Sequence, residues 1–493
     1  MSGSGAERRE PGARRAMANG ASPGIGQGAT ERVARRWKVL AVTSVAVFMA
    51  LLDVTIVNIA FPDIRGSFPR DSLGDLSWIL NGYNIVFAAA LVPAGRLADR
   101  VGRKRMFIGG VLVFLAASVL CGVSVSVVML VAARVLQAVG GAILTPTSLS
   151  LVLPEFPVEQ RATATALWTA TGAVAAATGP SLGGVLVNWQ GWRAVFFVNL
   201  LFGLPMLIPA RRLLRESRDT SVGRWPDGIG AALLALGVGA VALAIVKGPQ
   251  WGWASGRVLG AFTAAAMMLV LFLARSAHHP TPVIEPGLFR VRSFTVANAG
   301  GFVFSIGFFA LLLCNVLFLT TVWHYSILGA GAALTPGPIT AAVMAPLAGR
   351  LADRFGQRAI AVPGSLLFAA GSALFILRIT ATAHYWTAFL PAAILGGAGI
   401  GLSVPAFGSA AVAELPRPRF ATGVAIASCF RQIGAVVGVA VLVAVLGTAQ
   451  SANPLNAFHR CWAVVVGTGI ASAVISIALG RVRARQVETV PAS

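Results

Sequence analysis

The sequence predicts an all-α polytopic membrane protein with fourteen transmembrane helices. Three observations carry this reading. The 493 residues are 56% hydrophobic and only 11% charged, with a mean hydropathy of +0.79, whereas a soluble chain carries roughly 25% charged residues. Apolar stretches of about 20 residues, the length that crosses ~30 Å of hydrocarbon, recur along the chain. A hexapeptide also occurs twice, at the ends of two such stretches.

The apolar windows run over residues 39–61, 77–96, 106–125, 127–149, 163–187, 193–210 and 228–246, then 257–274, 296–319, 332–349, 359–377, 386–407, 421–446 and 461–480. The first holds Asp53, the one acidic residue inside any window. The second ends in a charged loop. The third and fourth are separated only by the stretch from Ser124 to Ser126, and the fourth contains Arg134. The fifth is crowded with small residues and contains Pro180. The sixth follows Trp192-Arg193, and the seventh and eighth carry no motif. The ninth has Asn298, and the tenth ends in the second copy of the hexapeptide. The twelfth contains Gly397-x-Gly399-x-Gly401, the thirteenth contains Arg431, and the eleventh and fourteenth are plain apolar runs.

Charge decides orientation. Of 39 basic residues, 30 fall on one face of this arrangement, seven on the other and two within windows. The positive-inside bias then places both termini of this multi-pass protein in the cytoplasm, and the scarcity of lysine beside abundant Arg, Ala and Gly points to a high-GC bacterial genome and so to the bacterial inner membrane. The net charge of +22 is spread over short loops between apolar windows, so it speaks for a bilayer and against nucleic acid. Residues 1–37 read as a disordered basic tail without a signal peptide, with Met17 an alternative start, and residues 482–493 as a second tail.

The repeat gives the architecture. Gly95-Arg96-Leu97-Ala98-Asp99-Arg100 leaves the second window and Gly349-Arg350-Leu351-Ala352-Asp353-Arg354 the tenth. Ala162-Thr163-Ala164 opens the fifth window and Ala421-Thr422-Gly423 the thirteenth. The offsets, 254 and 259 residues, correspond to a shift of eight helices. Two six-helix halves, 38–215 and 281–481, then flank an inserted pair of helices within 216–280. A parallel repeat of this kind places a substrate site between the halves near the membrane midplane.

These residues also resemble a known family. Gly95-x-Leu97-Ala98-Asp99-Arg100-x-Gly102-Arg103-Lys104 resembles the loop signature of the major facilitator superfamily. Leu52-Asp53-Val54-Thr55-Ile56-Val57-Asn58 through Pro62 is similar to the first-helix signature of its fourteen-helix drug:proton antiporters, the EmrB/QacA type. Gly172 through Gly179-Pro180-x-x-Gly183-Gly184 is similar to their fifth-helix antiporter motif. Val131-x-x-Arg134-x-x-Gln137-x-x-Gly140 and Trp192-Arg193-x-Val195-Phe196-Phe197-Val198-Asn199 also match. The resemblance runs from Lys38 to Arg481. It implies the major facilitator fold, alternating access, and efflux of lipophilic drugs or a self-made antibiotic in exchange for protons.

Each candidate residue has a physical reason. A carboxylate at mid-span costs about 2.5–3.5 kcal/mol by insertion scales, so Asp53 asks for a role. It can carry a proton across, or it can cap a break in its own helix. Arg134 lies at a similar depth and is its expected partner; arginine keeps its proton, leaving the titration to Asp53. The resemblance implies a part in proton transfer for this arginine. In the charged loops, Gly95 and Gly102 permit a sharp turn around Asp99, Arg100 and Arg103. The resemblance makes Asp99 and Arg103 a conformational gate, echoed by Asp353 and Arg354, where Gln357 stands in place of a second arginine. Asn58, Asn81, Tyr83, Asn84, Gln137, Asn298, Phe302, Phe308, Arg431 and Gln432 are the expected cavity residues.

No nucleophile triad, Cys-x-x-Cys pair, phosphate loop or metal-ligand cluster is present in the sequence. The expectation is therefore a non-enzyme without metal or cofactor, driven by a proton gradient. Its partners are protons, lipid and a lipophilic small molecule, and it is expected as a monomer. A facilitator-type importer or symporter and a non-transporting receptor are the competing readings.

Overall fold

The computed structural model describes residues 24–157, 160–219, 225–416, 419–447 and 454–480. Fourteen helices among them are long and apolar enough to cross a membrane. The first half holds α1 (Gly24–Ser67), α2 (Leu73–Val101), α3 (Arg103–Gly122), α4 (Val127–Val152), α5 (Arg161–Gln190) and α6 (Ala194–Leu213). The inserted pair is α7 (Gly228–Trp251) and α8 (Gly256–His278). The second half holds α9 (Arg292–Thr321), then α10, which is broken at Thr335 into Ile327–Leu334 and Pro336–Phe355. It continues with α11 (Arg358–Arg378), α12 (Leu390–Val412, entered through a π-helical turn), α13 (Phe420–Gly447) and α14 (Pro454–Ile477).

Small polar residues start several of these helices. Ser72, Ser126, Ser255 and Ser326 cap α2, α4, α8 and α10, each accepting a backbone N–H three residues on. Such caps satisfy donors that the first turn leaves orphaned. Ser126 thereby resolves the tight junction between α3 and α4, which the hydropathy pattern alone leaves ambiguous.

One expectation needs correcting. The stretch read as a tail is helical from Gly24 onward. Extending an existing helix costs little per residue once it is nucleated, and Ala29-Thr30-Glu31-Arg32-Val33-Ala34 contains good helix formers. Arg35 also anchors this extension, donating to Glu155 at 3.1 Å and to the Leu213 carbonyl at 2.9 Å. The rest of that tail, Met17, and the second tail at 482–493 lie outside the described residues.

Packing repeats with the shift of eight helices. α1 packs on α5 and α6, as α9 packs on α13 and α14. α4 packs on α2 and α3, as α12 packs on α10 and α11. The correspondence reaches single residues: a Cβ on Gly140 would lie 2.7 Å from the Phe114 amide, and Gly399 meets the Phe368 amide in the same way. Phe114 and Phe368 are 254 residues apart and Gly140 and Gly399 are 259 apart, the two offsets found in the sequence.

Two seams join the halves, α2 against α13 and α5 against α10. The inserted pair treats them differently. α7 packs on both α2 and α13, covering that seam, while α8 packs mainly on α7. At one end Lys247 of α7 donates to Asp75 of α2 at 2.7 Å. At the other, Arg275 of α8 donates to the buried N-cap Asp227 at 2.6 Å, and Arg100 of α2 stacks on Trp225 at 4.1 Å.

Candidate functional site: a buried ion pair beside a small cavity

Asp53 of α1 and Arg134 of α4 are both shut off from solvent, at 0% and 1% exposure, and bond at 2.5 Å. Their similar depth in the sequence suggested a pair, and helix rotation turns both inward. The carboxylate is held on every side. One oxygen accepts from Arg134, and the other accepts from Gln137 Nε2 at 2.8 Å and Asn199 Nδ2 at 3.1 Å. Ser118 Oγ accepts from those same two amides and donates to the Phe114 carbonyl. Arg134 also donates to Gln137 Oε1 and the Ile79 carbonyl, and its guanidinium lies 4.1 Å from the Tyr83 ring centroid. Five helices, α1, α2, α3, α4 and α6, therefore meet in the network around one ion pair. These bonds offset the desolvation of both charges, and Asn199 Oδ1 is left without a partner among the described residues.

Asn199, Ser118 and the pairing role of Gln137 were not read from the sequence. Gln137 was expected in the cavity, and the structure instead ties it to Asp53. Asn199 ends the motif that begins at Trp192. That residue donates from its backbone to Asp63 and from its indole to Ser67, fixing α6 on α1 so that Asn199 reaches the carboxylate. A lone amide in an apolar helix was the available signal.

A small cavity lies next to the pair. It is lined by Val54 and Asn58 of α1, Leu80 and Asn84 of α2, Arg134, Phe309 of α9 and Val439 of α13. Arg134 thus faces the cavity while Asp53 does not line it. Asn58 and Asn84 sit where the sequence placed them. Other expected cavity residues are engaged elsewhere. Asn81 is fully buried on α2 with neither amide atom partnered among the described residues. Tyr83 stacks on Phe87 under Arg134, and Asn298 donates to the Phe294 carbonyl of its own helix. Phe302 packs on Phe430, and Phe308 packs on the lining residue Phe309. Gln432 is buried in α13, and its neighbour Arg431 is partly exposed, with no carboxylate in ion-pair range among the described residues.

The charged junction between the end of α2 and the start of α3 is tightly built. Asp99 accepts from Arg103 at 2.9 Å, and Gly102 adopts φ +129°, which L side chains rarely take. Glu216 accepts from the backbone N–H groups of Lys104 and Arg105, placing a negative charge at the start of α3, where the helix dipole favours it. Arg96 reaches across to Glu285 ahead of α9 at 2.8 Å. The second copy differs: Asp353 and Arg354 are exposed and in no ion pair among the described residues, while Gln357 is buried.

The glycines of α5 set its two contacts. Gly172, Gly179 and Gly183 face Leu51, Thr55 and Ile56 of α1. Gly184 faces the α10 backbone at Ile327 and Leu328, and the Pro180 carbonyl sits against Gly331. Ser181 and Thr335 hydroxyls bond at 2.5 Å alongside. Gly95 lies inside α2 against Pro146 of α4, so the turn expected around it falls at Gly102 instead, where φ is positive. These α5–α10 contacts lie toward the end of the bundle away from the Arg-rich loops. Nearer those loops, Leu167 and Val174 of α5 and Val343 and Leu347 of α10 are exposed.

Comparison with known proteins agrees with this fold. The model of the Major Facilitator Superfamily matches residues 43–287 and 297–492. Multidrug resistance protein Stp of Mycobacterium tuberculosis is 33% identical over 416 residues, covering 84% of this chain and 76% of that protein. Tetracenomycin C resistance and export protein of Streptomyces glaucescens is 32% identical over 433 residues, covering 87% and 78%. The human organic anion transporter MFSD10 (TETRAN) superposes with a TM-score of 0.61 at 15% identity, over 90% of this chain and 99% of that one, a likeness of fold alone.

Proposed function

The chain belongs to the major facilitator superfamily, and on that footing we propose that it is a proton-coupled exporter of lipophilic organic compounds, drugs or a self-made antibiotic. The observation that carries the reading is the Asp53–Arg134 pair beside a cavity lined from both halves. Relatives named for multidrug resistance and for export support the direction.

The coupling has a definite sign. With Asp53 ionised, the charge of Arg134 is neutralised at the cavity wall, whose remaining lining is Val54, Leu80, Phe309 and Val439, which suit an apolar guest, with Asn58 and Asn84. A proton on Asp53 cancels the attraction and frees a guanidinium to project into the cavity. A charged, hydrated group there opposes a lipophilic guest. Proton and substrate therefore exclude one another, which is the linkage exchange requires. One proton entering across 100 mV is worth about 2.3 kcal/mol, enough for roughly a 50-fold gradient of an uncharged substrate.

Orientation follows from the same reading. The Arg-rich end faces the cytoplasm and the Pro180–Gly331 contact closes the outer end in this conformer. Asp99 and Arg103 form the gate at the inner end. The chain acts as a monomer, without a cofactor.

The test uses everted membrane vesicles with an acid interior and a panel of lipophilic compounds, comparing wild type with Asp53→Asn. Proton release on adding a substrate, lost in the variant, is the expected result. Substrate flux without proton movement in the wild type would end the exchange reading, and full coupling in the variant would remove Asp53 from it.

A further inference from the structure

We propose that the exported compound is electrically neutral, so that each cycle moves one net positive charge inward. This rests on the exchange reading above and narrows its substrate.

A cation finds no counter-charge. Among the described residues Asp53 is the one carboxylate more than about a turn inside a membrane-spanning segment; Asp63, Asp75, Asp99 and Asp353 lie within about a turn of their helix ends. Arg134 already claims it. The second half supplies no replacement. The 259-residue offset sets Ala393 and Gly396 opposite Arg134 and Gln137, and the 254-residue offset sets Ser372 opposite Ser118. That half packs Phe304 against Phe368 and Phe407. The charge it does bring into the bundle is Arg431, on the α13 face of Gly434 and Gly438, which pack on α9. A cationic guest would meet net positive charge in a medium that screens poorly.

An anion fails for the opposite reason. Its attraction to Arg134 is greatest when Asp53 is protonated and no longer competes. Anion and proton would then bind together, which favours co-transport and defeats exchange. A neutral guest escapes both constraints. Val54, Leu80, Phe309 and Val439 suit such a guest in kind, and the Asn84 amide with the side-chain oxygen of Asn58, whose nitrogen donates to the Val54 carbonyl, would supply the few polar contacts that orient it.

Purified full-length protein in liposomes tests this with three probes. N-phenyl-1-naphthylamine is neutral, 8-anilinonaphthalene-1-sulfonate adds a negative charge to the same skeleton, and tetraphenylphosphonium is a cation. A potassium–valinomycin potential is imposed without a pH gradient. The neutral probe should move at least tenfold faster than either ion, with proton counterflow and in proportion to the potential. Either ion moving with proton counterflow at the neutral probe's rate leaves exchange standing and overturns neutrality. Neutral-probe flux without proton counterflow defeats the exchange reading itself. Coupled flux that ignores the potential, or movement of none of the three, overturns the proposal.

Discussion

Gln137 stands one helical turn from Arg134 on α4 and bonds to both members of the ion pair, accepting from the arginine at 2.5 Å and donating to Asp53 at 2.8 Å. It is a brace that keeps carboxylate and guanidinium in one geometry. Gln137→Leu should leave a buried charge short of partners, at a cost of about 1–3 kcal/mol. A lowered thermal midpoint in detergent and weakened substrate-induced proton release are expected together. An unchanged midpoint would show that water or Asn199 takes over.

Two glycines three residues apart in α12 should respond in opposite ways to alanine. A Cβ on Gly396 meets nothing within 4 Å, whereas one on Gly399 would overlap the Phe368 amide and come within 2.6 Å of the Gly364 carbonyl. Gly396→Ala should be neutral or stabilise by up to about 1 kcal/mol. Gly399→Ala forces two backbones apart and should cost about 1–3 kcal/mol. Thermal midpoints of the two variants decide it, and equal midpoints would refute the α11–α12 contact.

The α5–α10 seam should be state-dependent. With Ser181→Cys and Thr335→Cys together, the adjacent positions should cross-link readily under mild oxidation. An opposed proton gradient that drives the other conformer should lower the yield severalfold. A constant yield would mean that the two helices never part at this level.

Gly331 makes the same seam sensitive to bulk. Gly331→Val drives a side chain into the Pro180 carbonyl. Transport should fall at least tenfold while the protein still reaches the membrane, as a blot against vesicle uptake would show. Full transport would mean closure does not use this contact.

Asp227 should matter to the inserted pair and not to coupling. It caps α7 through the Gly230 amide and holds Arg275 of α8. Asp227→Ala removes a cap and half of an ion pair, a loss of about 1–3 kcal/mol. The expected signature is a lower thermal midpoint with the proton-to-substrate ratio unchanged in vesicles.

Much of the architecture was legible because the bilayer imposes length. Fourteen apolar windows and one repeated hexapeptide suffice for helix count and internal symmetry. Depth was legible too, since rise per residue is fixed, and it brought Asp53 level with Arg134. Rotation was not. A helix surrounded by lipid and other apolar helices carries little amphipathic pattern, so nothing told Gln137 to face Asp53 or Asn81 to turn away from the cavity. The break in α10 was hidden for a related reason: Thr335-Pro336 interrupts the backbone without interrupting the hydropathy. Asn199 required knowing how Trp192 docks on Asp63 and Ser67, a contact between segments more than a hundred residues apart.

α7 touches both halves, yet the side-chain ties at its two ends, from Lys247 to Asp75 and from Trp225 just ahead of it to Arg100, are to α2. Fastened at bow and stern to the first half, it has to ride with that half when the two rock. The plane of slip is thereby drawn between α7 and α13. The inserted helices work like a keel bolted to one hull, fixing where the molecule shears and leaving α5 and α10 as the side that breathes.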